Sequence, residues 1–349
     1  MDVAAHGAEA ANKAYNPSPF RPLVVPSGVD LSIIHPRVAE GLKGLRTGLA
    51  RPVLLPQYKT LAGSMPSENT GPQENSPGSN NWVVSGKLTA TGHVFVANDP
   101  HRTFENPSIR YIVHLNAPGW NVVGATEAAF PGVMIGHTER IAWGLTILGT
   151  DQADVYVEDV NPANHNQVRF RGAWEPLRIV IDTIEVKGSP PVIVTRKFSR
   201  HGPVFYEDVA HHKAYAMRST AFEPGTAGYL SALRYNAADD CNDFMREQRF
   251  YTAPSENMIC GDTKGSIAWH ASSAAPRRPN WQGRLPVPGT GEYEWDGFRT
   301  DEPSEMNPAR GWIATANHDI HPSDFDPPLF YKRGPERNRY DRLGEVLSS

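Results

Sequence analysis

Proline and glycine interrupt this chain along its whole length, and that limits the elements it can form. The sequence has 31 prolines and 30 glycines among 349 residues. Both residue types end helices and mark turns, so they favour many short strands over long helices. We therefore predict a mixed fold, richer in strand than in helix, with room for one large domain or two ordinary ones.

Short apolar runs separated by turn residues predict the positions of these strands. The runs lie at residues 82–84, 94–97, 111–115, 120–124, 179–186, 192–197, 258–260 and 266–269. Helical spacing of apolar residues instead occurs at residues 38–49 and 229–249, which we predict to be helices.

A polar segment precedes the first predicted strand. Residues 64–78 are rich in Ser, Pro, Asn, Gly and Glu, and apolar residues begin abruptly after them. Such a segment cannot bury itself, so we expect an exposed loop, the kind of place where chains are cut. We divide the chain into an N-terminal segment (1–56), a spacer (57–78) and a main folded part (79–349).

The bulk composition argues against several classes of protein. Lys and Arg number 34 against 38 for Asp and Glu, a net charge of −4, so we expect no nucleic-acid partner. No stretch is long and apolar enough to span a membrane, and residues 1–19 lack the apolar core of a secretory signal. The default location is then the cytoplasm. We expect Cys241 and Cys260 to be free thiols, with one disulfide as the alternative.

Common catalytic motifs are missing from the sequence. It contains no GxSxG elbow, no HExxH zinc motif and no Walker A loop. Taken alone, the residues Gly78-Ser79-Asn80-Asn81-Trp82 predict only a turn followed by a strand, and a serine there is usually a turn residue.

These residues nevertheless resemble the start of the β chain in penicillin acylases, which are N-terminal-nucleophile hydrolases. Further family-like motifs follow in the same order: VANDPH (96–101), APGWNVVG (117–124), FPGVMIGH (130–137), IAWGLT (141–146), LPVPGTG (285–291) and IATAN (313–317). The resemblance covers about residues 60–349. It implies an α+β fold with four layers, αββα, in which Ser79 begins an internal strand.

The resemblance also implies a mechanism. Ser79 would attack the carbonyl of Gly78 and cut the precursor, and its freed α-amine would then be the base for its own hydroxyl. An α-amine titrates at about 7.7–8.0 in model peptides, so a useful fraction is neutral near pH 7. The implied activity is an acylase that cleaves the acyl side chain of a β-lactam or a related N-acyl amide through an acyl-enzyme. After the cut, the resulting α and β chains are expected to stay associated.

Four further residues receive roles from the resemblance. The backbone N–H of Ile147 and the side-chain amide of Asn317 would stabilise the oxyanion. His101 would orient the Ser79 hydroxyl, and Arg337 would support the site from the C-terminal end. Without the resemblance, Asn317 would be interpreted as a turn former, and His101 as a surface or core histidine.

A calcium site is implied by the penicillin G acylase branch of the family. Its expected ligands are the carboxylates of Asp151, Asp154 and Asp324 and the backbone carbonyls of Ala153 and Pro276, since calcium prefers oxygen. The alternative is that these acids cap turns or face solvent. No organic cofactor is expected.

Competing interpretations remain open from the sequence. Family precursors are much longer than this chain, so we expect a truncated member. One alternative function is that of an acyl-homoserine-lactone acylase with a long apolar acyl slot. Another is a non-catalytic remnant that needs a partner chain, and a third is a strand-rich binding protein with a calcium-stiffened loop.

Overall fold

The structure is a computed structural model. It describes residues 6–7, 9–10, 22–34, 36–47, 78–102, 108–128, 130–322, 324–330 and 337–349. The predicted spacer, apart from Gly78, and much of the predicted N-terminal segment therefore lie outside the described residues.

Strands dominate the described part of the chain, as the frequent prolines and glycines predict. The strands are β1 (Gly78–Val84), β2 (Phe95–His101), β3 (Arg110–Ala117), β4 (Trp120–Glu127), β5 (Ile135–His137), β6 (Ile141–Ile147), β7 (Ala153–Asn161), β8 (Asn164–Phe170), β9 (Ala173–Pro176), β10 (Arg178–Ile184), β11 (Val192–Ser199), β12 (Gly202–Asp208), β13 (Lys213–Ser219), β14 (Glu256–Asp262), β15 (Ile267–Ser272), β16 (Val287–Pro288), β17 (Ser304–Met306) and β18 (Trp312–Thr315). The α-helices are α1 (Pro36–Thr47), α2 (Ala232–Tyr235), α3 (Cys241–Glu247) and α4 (Asn338–Leu347).

These strands form three sheets in the described ranges. The small sheet has the order β18-β1-β2, and the central sheet has the order β17-β15-β14-β6-β5-β4-β3. The outer sheet has the order β10-β11-β12-β13-β7-β8-β9, with β16 added alongside β7. Neighbouring strands are antiparallel except for β16 and β7, which run parallel.

The small and central sheets stack face to face, and helices cover the two outer faces. Strands β1 and β2 pack on β6, α4 packs on β18, and α3 packs on β14 and β15. The order is therefore helix, sheet, sheet, helix. This confirms the α+β class that the resemblance implies.

Strand β14 shows how the sequence produces this layering. All seven of its residues are buried. Met258 and Cys260 join the core beneath α2 and α3, whereas Ile259 joins the core between the two sheets. Side chains alternate across a strand, so a strand that is buried along its whole length must have a packed layer on each face.

The predicted helix at 229–249 is broken into two short helices, α2 and α3. Asp240 lies between them in an extended conformation, and its carboxylate accepts hydrogen bonds from the backbone N–H groups of Asn242 and Asp243. An aspartate in this position caps a new helix and does not continue the old one.

The expectation of free thiols is wrong. A disulfide joins Cys241, the first residue of α3, to Cys260 in β14. The two residues are 19 positions apart, and only the packing of α3 against the central sheet brings their sulfur atoms together.

A buried polar network joins the two stacked sheets directly below the start of β1. The Thr315 hydroxyl bonds both the Asn81 side chain, 2.5 Å away, and the Thr146 hydroxyl, 2.6 Å away. Asn257 contacts Thr146 at 3.2 Å and accepts from the Trp269 indole at 3.1 Å. Because unpaired polar groups are costly in a core, these matched pairs fix one relative position of the two sheets.

Candidate active site

Ser79 is the second residue of β1, and its side chain is almost completely buried. Only 2% of the residue is exposed. Its hydroxyl donates a 2.6 Å hydrogen bond to the carbonyl oxygen of Gly78, the residue before it. Its backbone N–H donates a 2.6 Å hydrogen bond to the side-chain oxygen of Asn317. The hydroxyl therefore lies against the peptide bond that the resemblance predicts to be cut.

Asn317 lies two residues after β18, the strand that pairs with β1 in the small sheet. Its backbone is left-handed, with φ +61°, a conformation that asparagine tolerates better than most residues. The side-chain NH₂ donates a 2.9 Å hydrogen bond to the carbonyl oxygen of Ile147 at the end of β6. Asn317 thus ties Ser79 to Ile147, and the structure brings these three predicted residues together.

The contact made by Ile147 differs from the predicted one. Its carbonyl oxygen accepts from Asn317, whereas the predicted oxyanion donor is its N–H. That donor role stays a prediction.

His101 ends β2 directly opposite Gly78 in the strand pairing. Its Nε2 lies 3.1 Å from Oδ2 of Asp99 and 3.2 Å from Nδ2 of Asn80. The hydrogen bond from His101 lowers the pKa of Asp99. Between described residues, no hydrogen bond joins His101 to the Ser79 hydroxyl. No direct contact therefore supports the prediction that His101 orients this hydroxyl.

The arginine that reaches the site is Arg339, not the predicted Arg337. Its guanidinium donates to the Ser79 carbonyl at 2.8 Å, the Asn80 side chain at 2.6 Å and the Ala316 carbonyl at 2.8 Å. It also lies 3.3 Å from the Asn317 oxygen. Partial burial lowers the pKa of Arg339.

Arg337 lies at the start of α4 and has an exposed side chain. It pairs with Asp341 at 3.4 Å and lies over the ring of Tyr340. Two positions apart on a helix, Arg337 and Arg339 point in different directions, which explains why only one of them reaches Ser79.

The surroundings of Gly78 are crowded by these site residues. A Cβ atom added to Gly78 would lie 3.1 Å from the Arg339 guanidinium, 3.2 Å from His101 Nδ1 and 3.4 Å from the Asn317 oxygen. A larger residue at position 78 would therefore push against several site residues at once.

Glu256 is a buried acid beside the site that sequence reasoning missed. It pairs with Ile147 across β14 and β6 and has only 3% of its surface exposed. Burial raises its pKa to about 8, while the charges of Arg102 and Arg110 act in the opposite direction. A lone glutamate at the start of a strand carries no sequence signal for this burial.

An apolar cavity of about 640 Å³ lies beside the chain segment that leads into β14. Its lining residues include Phe130, Pro131, Tyr229, Leu230, Ala253 and Pro254. Pro254 is two residues before β14, and β14 pairs with β6, whose end carries Ile147. This cavity has the size and apolar lining of a small-molecule pocket.

The predicted calcium ligands do not form a cation site. Asp154 is buried and accepts from the guanidinium of Arg278 at 2.7 Å, and the same guanidinium lies 3.5 Å from the Asp151 carboxylate. Asp324 is exposed. Among the described residues, no group of three or more His, Cys, Asp or Glu residues is arranged to hold a metal. A positive side chain between the two carboxylates does not fit calcium.

Comparison with known proteins shows the family of this chain. The sequence model of the penicillin amidase family matches residues 4–349. The chain belongs to the penicillin amidase family. This match confirms the family resemblance that the sequence motifs between residues 78 and 317 indicate.

Several members of the penicillin amidase family are similar to this chain. Penicillin acylase 2 proenzyme of Pseudomonas sp. (strain SE83) is 32% identical over 89% of this chain and 41% of its own length. An acyl-homoserine lactone acylase of Pseudomonas aeruginosa is 30% identical over 69% of this chain and 30% of its own length. This penicillin amidase chain therefore spans less than half the length of these relatives.

A solved family structure resembles the fold. The thermostable penicillin G acylase from Alcaligenes faecalis superimposes with a TM-score of 0.66 at 27% identity, over 72% of this chain and 46% of that chain. In the described part of this penicillin amidase chain, no helix has the length and apolar character to cross a bilayer.

We predict that His318 makes this site sensitive to acid. Burial lowers the pKa of His318 to about 4. Its Nδ1 accepts a hydrogen bond from the Ala316 N–H at 3.3 Å, and its ring stacks on Tyr340 at 3.9 Å. The unfolded chain would protonate this histidine near pH 6.5, so stability should fall as the pH drops from about 6.5 to about 4, by roughly 2–3 kcal/mol.

Urea denaturation at a series of pH values measures this effect. His318→Gln should reduce the loss of stability between pH 6.5 and 4 but not abolish it, because burial lowers the pKa of His270 to about 4 as well. His114→Gln, which alters an exposed histidine, should leave the loss unchanged. An unaltered slope in His318→Gln would contradict the assignment.

Proposed function

We propose that this chain carries the catalytic-serine part of an amide hydrolase that activates itself by cutting between Gly78 and Ser79. The observation that carries the proposal is the position of the Ser79 hydroxyl, 2.6 Å from the carbonyl oxygen of Gly78 and buried at the start of an internal strand. An internal serine has no amine base of its own, so cleavage must come before catalysis.

The cut is an acyl shift followed by hydrolysis. The Ser79 hydroxyl oxygen attacks the Gly78 carbonyl carbon, the peptide C–N bond breaks, and the nitrogen takes up the proton as the α-amine of Ser79. Water then hydrolyses the resulting ester, which leaves a carboxylate on Gly78 and restores the hydroxyl. The freed amine would still lie beside the Asn317 oxygen, which is 2.6 Å from the same nitrogen in the uncut chain.

The same residues then act on a substrate amide. The Ser79 amine takes the proton of the hydroxyl, and the oxygen attacks the amide carbonyl to give an acyl-enzyme and a free amine. Water releases the acid in the second half of the reaction. Asn317 lies between Ser79 and Ile147, and preorganised donors at this point would stabilise the developing oxyanion.

Arg339 is well placed to tune the nucleophile. Its charge lies 2.8 Å from the Ser79 carbonyl and 3.3 Å from the Asn317 oxygen. A fixed positive charge disfavours protonation of a neighbouring amine, so it would keep more of the Ser79 amine in its basic form near neutral pH.

The substrate class we propose is an N-acyl amide with an apolar acyl group, including the side chain of a β-lactam. The cavity that Pro254 lines is otherwise lined mostly by apolar groups and has room for an aromatic or aliphatic acyl chain. Long acyl chains are the second candidate, because relatives of this chain include an acyl-homoserine lactone acylase. Release of free acid from phenylacetyl, glutaryl and long-chain acyl amides would separate these possibilities.

We predict that Ser79→Ala abolishes both activities. Without the hydroxyl, the chain should stay uncut, and amide hydrolysis should fall by roughly 1000-fold or more. Gel electrophoresis and a fluorogenic acyl amide measure the two effects. Ser85→Ala is the matched control, because Ser85 follows the same strand and its hydroxyl accepts from the Lys87 N–H at the surface. Cleavage and hydrolysis that survive in Ser79→Ala would refute the nucleophile.

We predict opposite results for the two neighbouring arginines. Arg339→Ala removes hydrogen bonds to four groups around Ser79 and should slow self-cleavage about 100-fold. Arg337→Ala removes an exposed ion pair with Asp341 and a contact with the Tyr340 ring, but no hydrogen bond to Ser79 or Asn317, so its cleavage rate should stay within about twofold of wild type. Equal rates in the two variants would contradict the role given to Arg339.

A further inference from the structure

Arg278 lies between the two carboxylates that were expected to bind calcium. Its Nε donates to Asp154 Oδ2 at 2.7 Å. Another nitrogen of the same guanidinium lies 3.2 Å from the backbone carbonyl of Asp151 and 3.5 Å from its carboxylate. The Asp154 side chain is fully buried, and that of Arg278 is 10% exposed. The positive charge is therefore supplied by the chain itself.

The oxygens of Asp154 are already engaged by nitrogen donors. Oδ2 accepts from Trp295 Nε1 at 2.6 Å as well as from Arg278, and Oδ1 lies 3.4 Å from Trp281 Nε1. A calcium ion needs six to eight oxygen ligands at about 2.3–2.6 Å. Here N–H groups point at the carboxylate, and a guanidinium occupies the place where a cation would be attracted.

The surrounding chain leaves room for this guanidinium. Gly283 has a left-handed backbone, with φ +76°, and a Cβ atom there would lie 2.5 Å from Arg278. Burial opposes the charge of Arg278, while Asp154 and Asp151 raise its pKa and keep it protonated. A planar guanidinium that can bind two acceptors at once suits this position better than a lysine would.

The ion pairs of Arg278 with Asp151 and Asp154 hold the loop between β6 and β7, which leads away from the candidate active site. Ile147 ends β6, and β7 begins at Ala153, so the intervening loop contains Asp151. Arg278 holds this loop from one side, and the Asp151 N–H donates to the Leu329 carbonyl at 2.8 Å on the other. Through Arg278, the connection between β15 and β16 is therefore tied to this loop and to the start of β7.

We infer that Arg278 replaces a calcium ion in this chain, so that the chain folds without a metal, and that the Asp151–Asp154 pair is a latent cation site which opens only when Arg278 is removed. The inference concerns stability and metal binding, and it does not depend on the proposed amidase activity.

Thermal melting in calcium and in EDTA tests this inference. The wild-type chain should melt within about 1 °C of the same temperature in both, and isothermal titration with calcium chloride should show no binding. Arg278→Ala leaves two acids without the guanidinium, so its melting temperature in EDTA should fall by about 5–10 °C. Calcium should then recover part of that loss.

Two further variants control the experiment. Arg278→Lys keeps a positive charge and should remain insensitive to calcium. Arg277→Ala alters the exposed neighbour, which pairs with Asp296, and should change neither the melting temperature nor the calcium response.

Three results would overturn the inference. They are calcium binding or calcium stabilisation in the wild-type chain, an Arg278→Ala variant as stable as wild type, and an Arg278→Ala variant that is destabilised but indifferent to calcium. If Arg278→Ala does not fold, the wild-type titration and the Arg278→Lys melting curves still decide the question.

Discussion

The geometry of the site depends on the side-chain amide of Asn317. One end accepts from the Ser79 N–H and the other donates to the Ile147 carbonyl, so a single planar group joins the start of β1 to the end of β6. These strands belong to different sheets. The left-handed backbone of Asn317 aims the amide into the gap between them, and the local strain of that conformation is balanced by the two hydrogen bonds.

The stacking of the two sheets supports this junction. Asn98 in β2 donates to the carbonyls of Asn80 in β1 and Leu145 in β6, at 3.0 and 3.1 Å, and accepts from the Leu145 N–H at 2.9 Å. Gly144 leaves the space for it, since a Cβ there would lie 2.8 Å from the Asn98 oxygen. Polar contacts of this kind are directional, so they hold the nucleophile more rigidly than apolar packing alone.

Local sequence patterns predicted much of the fold, but contacts between distant residues were beyond them. The apolar runs at 111–115 and 120–124 lie in β3 and β4. They could be predicted because apolar runs and the turn residues between them are local features of the sequence. The disulfide between Cys241 and Cys260 depends on packing between a helix and a sheet. The break at Asp240 depends on a cap that competes with an otherwise helical pattern.

The site residues were assigned through family resemblance, and where the structure places them differently there is a physical cause. Ser79, Asn317 and Ile147 are joined by hydrogen bonds, and their catalytic roles stay predictions. Arg339 was missed because sequence spacing does not say which of two arginines near the start of α4 faces the small sheet. The calcium expectation considered the acids alone, and Arg278, which lies 124 positions after Asp154, fills the space between them.

The central claim is that Ser79 acquires a free amine by cutting the chain that contains it. The most direct measurement is an intact-mass spectrum of the purified protein, with N-terminal sequencing of each polypeptide. The account predicts two polypeptides, one of which begins Ser-Asn-Asn-Trp. A single uncut chain from protein that is folded would contradict it, because Ser79 would then have no amine to act as its base.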